Sequence, residues 1–141
     1  MELRLVTEGA AHTIYSMELG ETLHGFLADL RRNDLKEHDR ILARLDRLAE
    51  CGASRRKDEF NSLGGGLYEA KTSRGSRVVF FYDDNRIVVC THGFSKQSQR
   101  TPRQLLNAAR ERKAHYEQAR RAGENITIRI SATQDKPKRM P

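Results

Sequence analysis

Residues 63–116 read LGGGLYEAKTSRGSRVVFFYDDNRIVVCTHGFSKQSQRTPRQLLNAARERKAHY, and the fold is decided in this stretch. Three β-type runs, 67–72, 77–82 and 86–92, are separated by two turn signals, Ser73-Arg74-Gly75 and Asp83-Asp84-Asn85. Glycine takes a positive φ without steric cost, and Asp and Asn bond their own turn backbone. The pattern predicts a three-stranded antiparallel meander. Its apolar residues, Val78 to Phe81 and Ile87 to Val89, run almost without interruption, which implies burial on part of both faces. Thr101-Pro102-Arg103-Gln104 then reads as a helix start, with Thr101 as N-cap, Pro102 at the first helical position and Gln104 closing a capping box.

The turns set the register. A first hairpin closing around Arg74 puts Lys71 opposite Arg77 on one face. A second hairpin turning on Asp84-Asn85 puts Arg77 opposite His92, and a three-residue turn is expected to move that pairing by one, to Thr91. Lys71, Arg77 and His92 therefore gather at one end of the meander. The chain leaves that end through Gly93-Phe94-Ser95-Lys96 and starts a helix whose free N–H groups favour anions. Cations, an imidazole and a helix N-terminus at one edge describe a phosphate site. At the start of its strand, Arg77 is expected to be at least half-exposed and to matter little to folding.

Working outward, residues 14–17 are the preferred extra strand beside the meander, and 3–6 a weaker one. Leu23, Phe26, Leu27 and Leu30 recur at helical spacing. Asn33 and Asp34 break that helix, and Asp34 with Glu37 reads as a capping box for a second one reaching about Glu50 and stopped by Gly52. Leu35, Ile41, Leu42, Leu45 and Leu48 form its expected buried side, giving a helical hairpin that needs a sheet to cover it. Residues 54–62 read as a solvated loop. Gly64-Gly65-Gly66 reads as a turn, since it lacks the Lys-Ser/Thr of a P-loop and runs into a strand. The last helix, 102–121, is basic, with a modest apolar stripe that includes Tyr116. Alternating Ile126, Ile128 and Ile130 suggest a strand that covers a sheet edge or pairs with another chain, and 134–141 reads as a disordered tail. The expected class is α+β: a helical hairpin packed on a twisted antiparallel sheet, in a domain over 1–123, with a C-terminal extension over 124–141.

The 141 residues suit one core. The charge is uneven: 67–121 hold 12 Lys/Arg against 5 Asp/Glu, whereas 1–66 hold 10 against 12. That asymmetry points to a polyanionic partner. Cys51 and Cys90 have no metal or redox spacing, which suits reduced thiols in a cytoplasmic protein. No signal-peptide pattern and no membrane-length apolar run is present, so no membrane is expected, and with no metal spacing and no P-loop no cofactor is expected. His12, His24, His38 and His115 receive no role.

The order GGGLYE-x-K, turn, R-VVFFY, turn, IVVCTHGF-x-K-x-x-x-TP, helix resembles the HigB-like branch of the RelE toxin superfamily, over roughly residues 18–116. These are toxin halves of bacterial type II toxin–antitoxin pairs. The resemblance implies a RelE-like fold and a metal-independent endoribonuclease that cleaves messenger RNA, typically on the ribosome, by attack of a ribose 2′-OH on the neighbouring phosphate. It also implies a small helix-turn-helix antitoxin as partner. Arg77 and Lys71 would stabilise phosphate charge, His92 would act as acid or base, and Lys96 would assist; Arg74, Arg100, Arg103 and Tyr116 are candidates for RNA binding. Two positions depart from the family pattern. Its usual Glu-Leu-Arg appears as Glu69-Ala70-Lys71, which keeps the charge but loses the planar fork. Its common Lys-Lys pair appears as Lys96-Gln97. A non-enzymatic nucleic-acid-binding module, such as a DNA-binding co-repressor acting with a partner or an inactive toxin relic, is the alternative that the basic field also fits.

Overall fold

The structure, a computed structural model, describes residues 1–96, 102–130 and 138–139. Its elements in chain order are β1 (Glu2–Glu8), β2 (Thr13–Met17), α1 (Leu23–Asn33), α2 (Leu35–Cys51), β3 (Phe60–Gly64), β4 (Leu67–Lys71), β5 (Ser76–Asp83), β6 (Ile87–Ser95), α3 (Arg103–Arg121), β7 (Thr127–Arg129) and β8 (Lys138–Arg139). The strands form one sheet in the order β3-β4-β5-β6-β2-β1-β7-β8. The class is α+β, as expected. The sheet is mostly antiparallel, but β2 joins β6 in parallel and β7 joins β1 in parallel.

Helices cover both faces. On one, Leu23 and Leu27 of α1 and Ile41, Leu45 and Leu48 of α2 pack on Ile14, Val78, Phe80, Val88 and Cys90. On the other, Ala109 and Tyr116 of α3 meet Tyr15, Val79, Phe81 and Val89. The uninterrupted apolar run of β5 thus divides by strand alternation between two cores. Each fully buried aliphatic side chain contributes roughly 1.5–3 kcal/mol.

The hairpin helices are capped nearly as read. Thr22 accepts from the Gly25 amide, Asp34 accepts from the Glu37 amide, and Gly52, at φ 81°, ends α2. Leu35, however, is 57% exposed, because it precedes the turn of α2 that first reaches the sheet. The stretch read as a loop runs into β3, which begins at Phe60, and Phe60 is buried there. As an outer strand it is paired on one side, so its polar Asn61 and Ser62 fit. Gly65 and Gly66, both at positive φ, close a two-residue hairpin to β4, which makes the meander four-stranded. Helix α3 starts one residue later than expected: Pro102 occupies the N-cap without a side-chain cap bond, and Thr101 lies outside the described residues. Ile126 and Ile128 are buried in the α3-side core, so this strand covers a sheet edge of its own chain. Of the expected tail, Lys138 and Arg139 pair antiparallel with β7, and the rest of 134–141 lies outside the described residues.

Candidate functional site

The β4–β5 turn organises the site. Lys71 pairs with Arg77, as the first turn signal requires. Gly75 sits at φ 106°, donates to the Thr72 carbonyl and accepts from the Lys96 amide; a Cβ there would strike the Lys96 carbonyl oxygen. The end of β6 is thereby stitched onto the turn, which brings Lys96 to the same edge as Lys71 and Arg77.

Arg77 is not the half-exposed residue expected. It is 7% exposed, and its Nη1 donates to the carbonyls of Thr72 and Ser76, both at 2.9 Å. Its Nε is buried without a hydrogen-bond partner. Burial pulls its pKa below the ordinary arginine value, against the opposing pull of the Glu69 and Glu37 carboxylates. Lys96, 8% exposed, is pulled down the same way, first by burial and then by Arg77 and Lys71, with Glu69 opposing. Lys71 is half-buried. Three cations thus surround one buried carboxylate, Glu69, which lies two residues before Lys71 and therefore on the same strand face. Sequence reasoning quoted Glu69 without giving it a role; an acidic residue inside an apolar strand was the available signal.

The second register differs from the expected one. Arg77 pairs with Phe94, and His92 pairs with Val79. The turn between β5 and β6 has three residues, which moves the partner of Arg77 toward the C-terminus rather than back to Thr91. A bulge between Val79 and Phe80 on β5, taken up at Thr91 on β6, moves it once more. His92 nevertheless stays at this end of the meander, one row inward of Arg77 and on the same face as Phe94, on which its ring stacks at 5.6 Å.

His92 is 4% exposed, and its pKa is pushed down to about 4, first by burial and then by the Arg112 guanidinium. The imidazole is therefore neutral at pH 7. The Thr91 hydroxyl donates to the Val79 carbonyl at 3.3 Å and lies 3.1 Å from His92 Nδ1. With the hydroxyl proton committed to Val79, the bond pattern assigns the ring proton to Nδ1 and the lone pair to Nε2. Nε2 is buried and has no hydrogen-bond partner. An unprotonated ring nitrogen can accept a proton or a hydrogen bond, and this one lies under cover. Arg112 of α3 secures this side by donating to the Thr91 and Glu21 carbonyls at 3.0 and 3.1 Å.

The remaining residues divide. Arg74, at the tip of the turn, and Arg103, in the first turn of α3, are exposed. Arg100 lies outside the described residues. Tyr116, expected to meet RNA, is in the core: 1% exposed, edge-on to Phe81 at 5.3 Å, with its hydroxyl donated to Asp83. Its place on the apolar stripe of α3 decided this.

The other missed residue is Glu37. Its amide serves the Asp34 cap, but its carboxylate is buried and accepts from the hydroxyls of Thr72 and Ser76. These are the two residues whose carbonyls hold Arg77. The Asp34–Glu37 spacing concealed this, because it matches a capping box so well.

Among the described residues no group of three or more His, Cys, Asp or Glu side chains could hold a metal, and no helix is long and apolar enough to cross a membrane. A search of the curated proteins finds no match. The family model described as phage derived protein Gp49-like (DUF891) matches residues 28–114, from within α1 through most of α3. That span takes in more than half of the chain and all of the β4–β6 site, and the chain belongs to the Gp49-like family.

Proposed function

We propose that this protein is an endoribonuclease toxin of the RelE/HigB type, acting in the cytoplasm on messenger RNA held by the ribosome and neutralised by a small helix-turn-helix antitoxin. The observation that carries the reading is the cluster of Lys71, Arg77 and Lys96 around Glu69, with a neutral imidazole one row inward. Membership in the Gp49-like family and the HigB-like order of motifs support it.

In this mechanism a ribose 2′-OH attacks the adjacent phosphorus. His92 Nε2 takes the hydroxyl proton, the P–O5′ bond breaks, and the Lys96 ammonium protonates the departing 5′ oxygen. The products are a 2′,3′-cyclic phosphate and a 5′-OH. Lys71 and Arg77 neutralise the charge that grows on the non-bridging oxygens. The nucleophile is internal to the substrate, so alignment, a base, an acid and fixed positive charge suffice as drawn. A second reading, a nucleic-acid-binding module without cleavage, is favoured by one observation: Arg77, His92 and Lys96 are each less than a tenth exposed.

Lys71 separates the two readings, since it is half-buried and sits at a strand end. Wild-type protein should cleave message on programmed ribosomes in single turnover. Lys71→Ala should melt like wild type and cleave about a hundredfold more slowly, the cost of one preorganised contact to the transition state. Wild-type protein that binds RNA and leaves every message intact supports the binding module and sinks the nuclease.

A further inference from the structure

A groove of about 300 Å³ lies on the opposite side of the β4–β5 turn, lined by Arg40, Arg44 and Arg47 of α2 together with Glu59, Thr72 and Ser73. The three arginines are spaced four and three residues apart, which places them along one helix face. Arg44 Nη1 is held by Glu59 at 2.6 Å, yet its Nε is buried with no hydrogen-bond partner. Arg40 and Arg47 reach carboxylates only at 3.6 and 3.9 Å, Glu37 and Glu59 respectively, and keep much of their guanidinium surface exposed. Three guanidinium groups therefore face two carboxylates, and positive charge is left over.

Thr72 joins this groove to the site. Its carbonyl accepts from Arg77, its hydroxyl reaches Glu37, and it lines the groove. Ser73 and the exposed Arg74 continue the surface across the turn. The apolar part of the lining is Ala43. A protein partner docks through apolar or aromatic anchors, which this groove does not offer, whereas phosphate needs planar donors and charge.

We propose that the Arg40–Arg44–Arg47 groove is a second phosphate subsite, which holds the backbone of the same RNA strand beyond the scissile position as it passes over the β4–β5 turn. This rests on reading the chain as an RNA-cleaving protein. The test therefore uses fully 2′-O-methylated, fluorescein-labelled RNA, which binds but has no 2′-OH to attack. Anisotropy titrations of three- and twelve-nucleotide strands compare the whole wild-type protein with Arg40→Gln/Arg47→Gln.

Two lost phosphate contacts should lower the salt slope for the twelve-mer by ~1.4, so wild type should lose roughly sevenfold more affinity than the variant between 50 and 200 mM salt. The three-mer, which reaches only the Lys71–Arg77 end, should bind both proteins alike. If the double variant melts lower, Ala43→Asp decides, since it adds a negative charge at an exposed position of the groove on α2 and should weaken the twelve-mer and spare the three-mer. Twelve-mer binding equal to wild type in the folded variants overturns the proposal. So does intact RNA binding with loss of binding to an oligoglutamate peptide, which would give the groove to an acidic protein segment. Failure of the nuclease reading shows separately, as wild-type protein that binds these strands and cleaves no unmethylated message.

Discussion

Glu37→Ala should loosen the site from behind. The carboxylate is 4% exposed and accepts hydrogen bonds from Thr72 and Ser76, whose own side chains are buried. Bonds to a charged acceptor are worth ~1.5–3 kcal/mol each, and removing the acceptor leaves two hydroxyls in a dry environment. Relief of the carboxylate's own desolvation offsets part of this loss. Arg40, the nearest cation, is half-exposed and resolvates without much penalty. The net loss should be roughly 2–4 kcal/mol, a large share of the 5–15 kcal/mol that holds a domain together. Urea denaturation reads this as a midpoint lower by about 1–2 M at unchanged slope. Glu37→Gln keeps one acceptor oxygen and should lose about half as much. Because Thr72 and Ser76 also hold Arg77 through their carbonyls, cleavage should fall at temperatures where the variant is still fully folded. Glu37→Ala within about 0.5 kcal/mol of wild type would show that the carboxylate does not hold the turn, and the reasoning would fail with it.

Arg77→Ala should cost roughly 1–3 kcal/mol in the same denaturation assay, because a buried guanidinium with two carbonyl acceptors is removed, although each carbonyl keeps a backbone partner; a variant as stable as wild type refutes this. His92 has a folded pKa of about 4 against an unfolded value near 6.5, so its contribution is fully present above pH 6.5 and is lost as pH falls toward 4. Between pH 6.5 and 5, wild type should lose up to about 1.4 kcal/mol per pH unit more than His92→Gln, and parallel stability curves for the two proteins would contradict the buried neutral imidazole.

What could be read from the chain was what local chemistry dictates. The Lys71–Arg77 pair follows from Ser73-Arg74-Gly75 alone, because a tight turn leaves one register for the residues around it. The hairpin helices follow from leucine spacing and from Thr22 and Asp34 as caps. The Arg77–His92 pairing failed in two steps: the turn holds three residues rather than two, and a bulge at Thr91 adds a residue that no turn or hydropathy pattern announces. Strand β3 escaped because an outer strand tolerates Asn61 and Ser62 on its way past the core. Burial of Arg77, Lys96 and Glu37 could not be seen either, since charged residues read as surface until their partners are known. Tyr116 was legible in its spacing on α3 and was still assigned outward, where the stripe itself argued for the core.

On the proposed nuclease reading, the electrostatics of the site bear on the chemistry. Lys71, Arg77 and Lys96 repel one another in a setting that burial has already made less polar, and Glu69 offsets only part of that cost. The ammonium of Lys96 is therefore destabilised in the free protein. A phosphodiester entering the site would bring negative charge that offsets the repulsion among these cations. As the P–O5′ bond stretched, charge would move onto the leaving oxygen, and an ammonium made more acidic by burial would give its proton to it more readily than one held in water. The imidazole of His92 is neutral at pH 7, so on that reading its lone pair is open to the ribose proton, while the burial that keeps it neutral also makes it a weaker base than a free imidazole. Burial displaces both groups from their ordinary pKa values, beside Arg77 and Lys71 for Lys96 and beside Arg112 for His92, and Glu37 and Gly75 hold the frame in which they would act as acid and base.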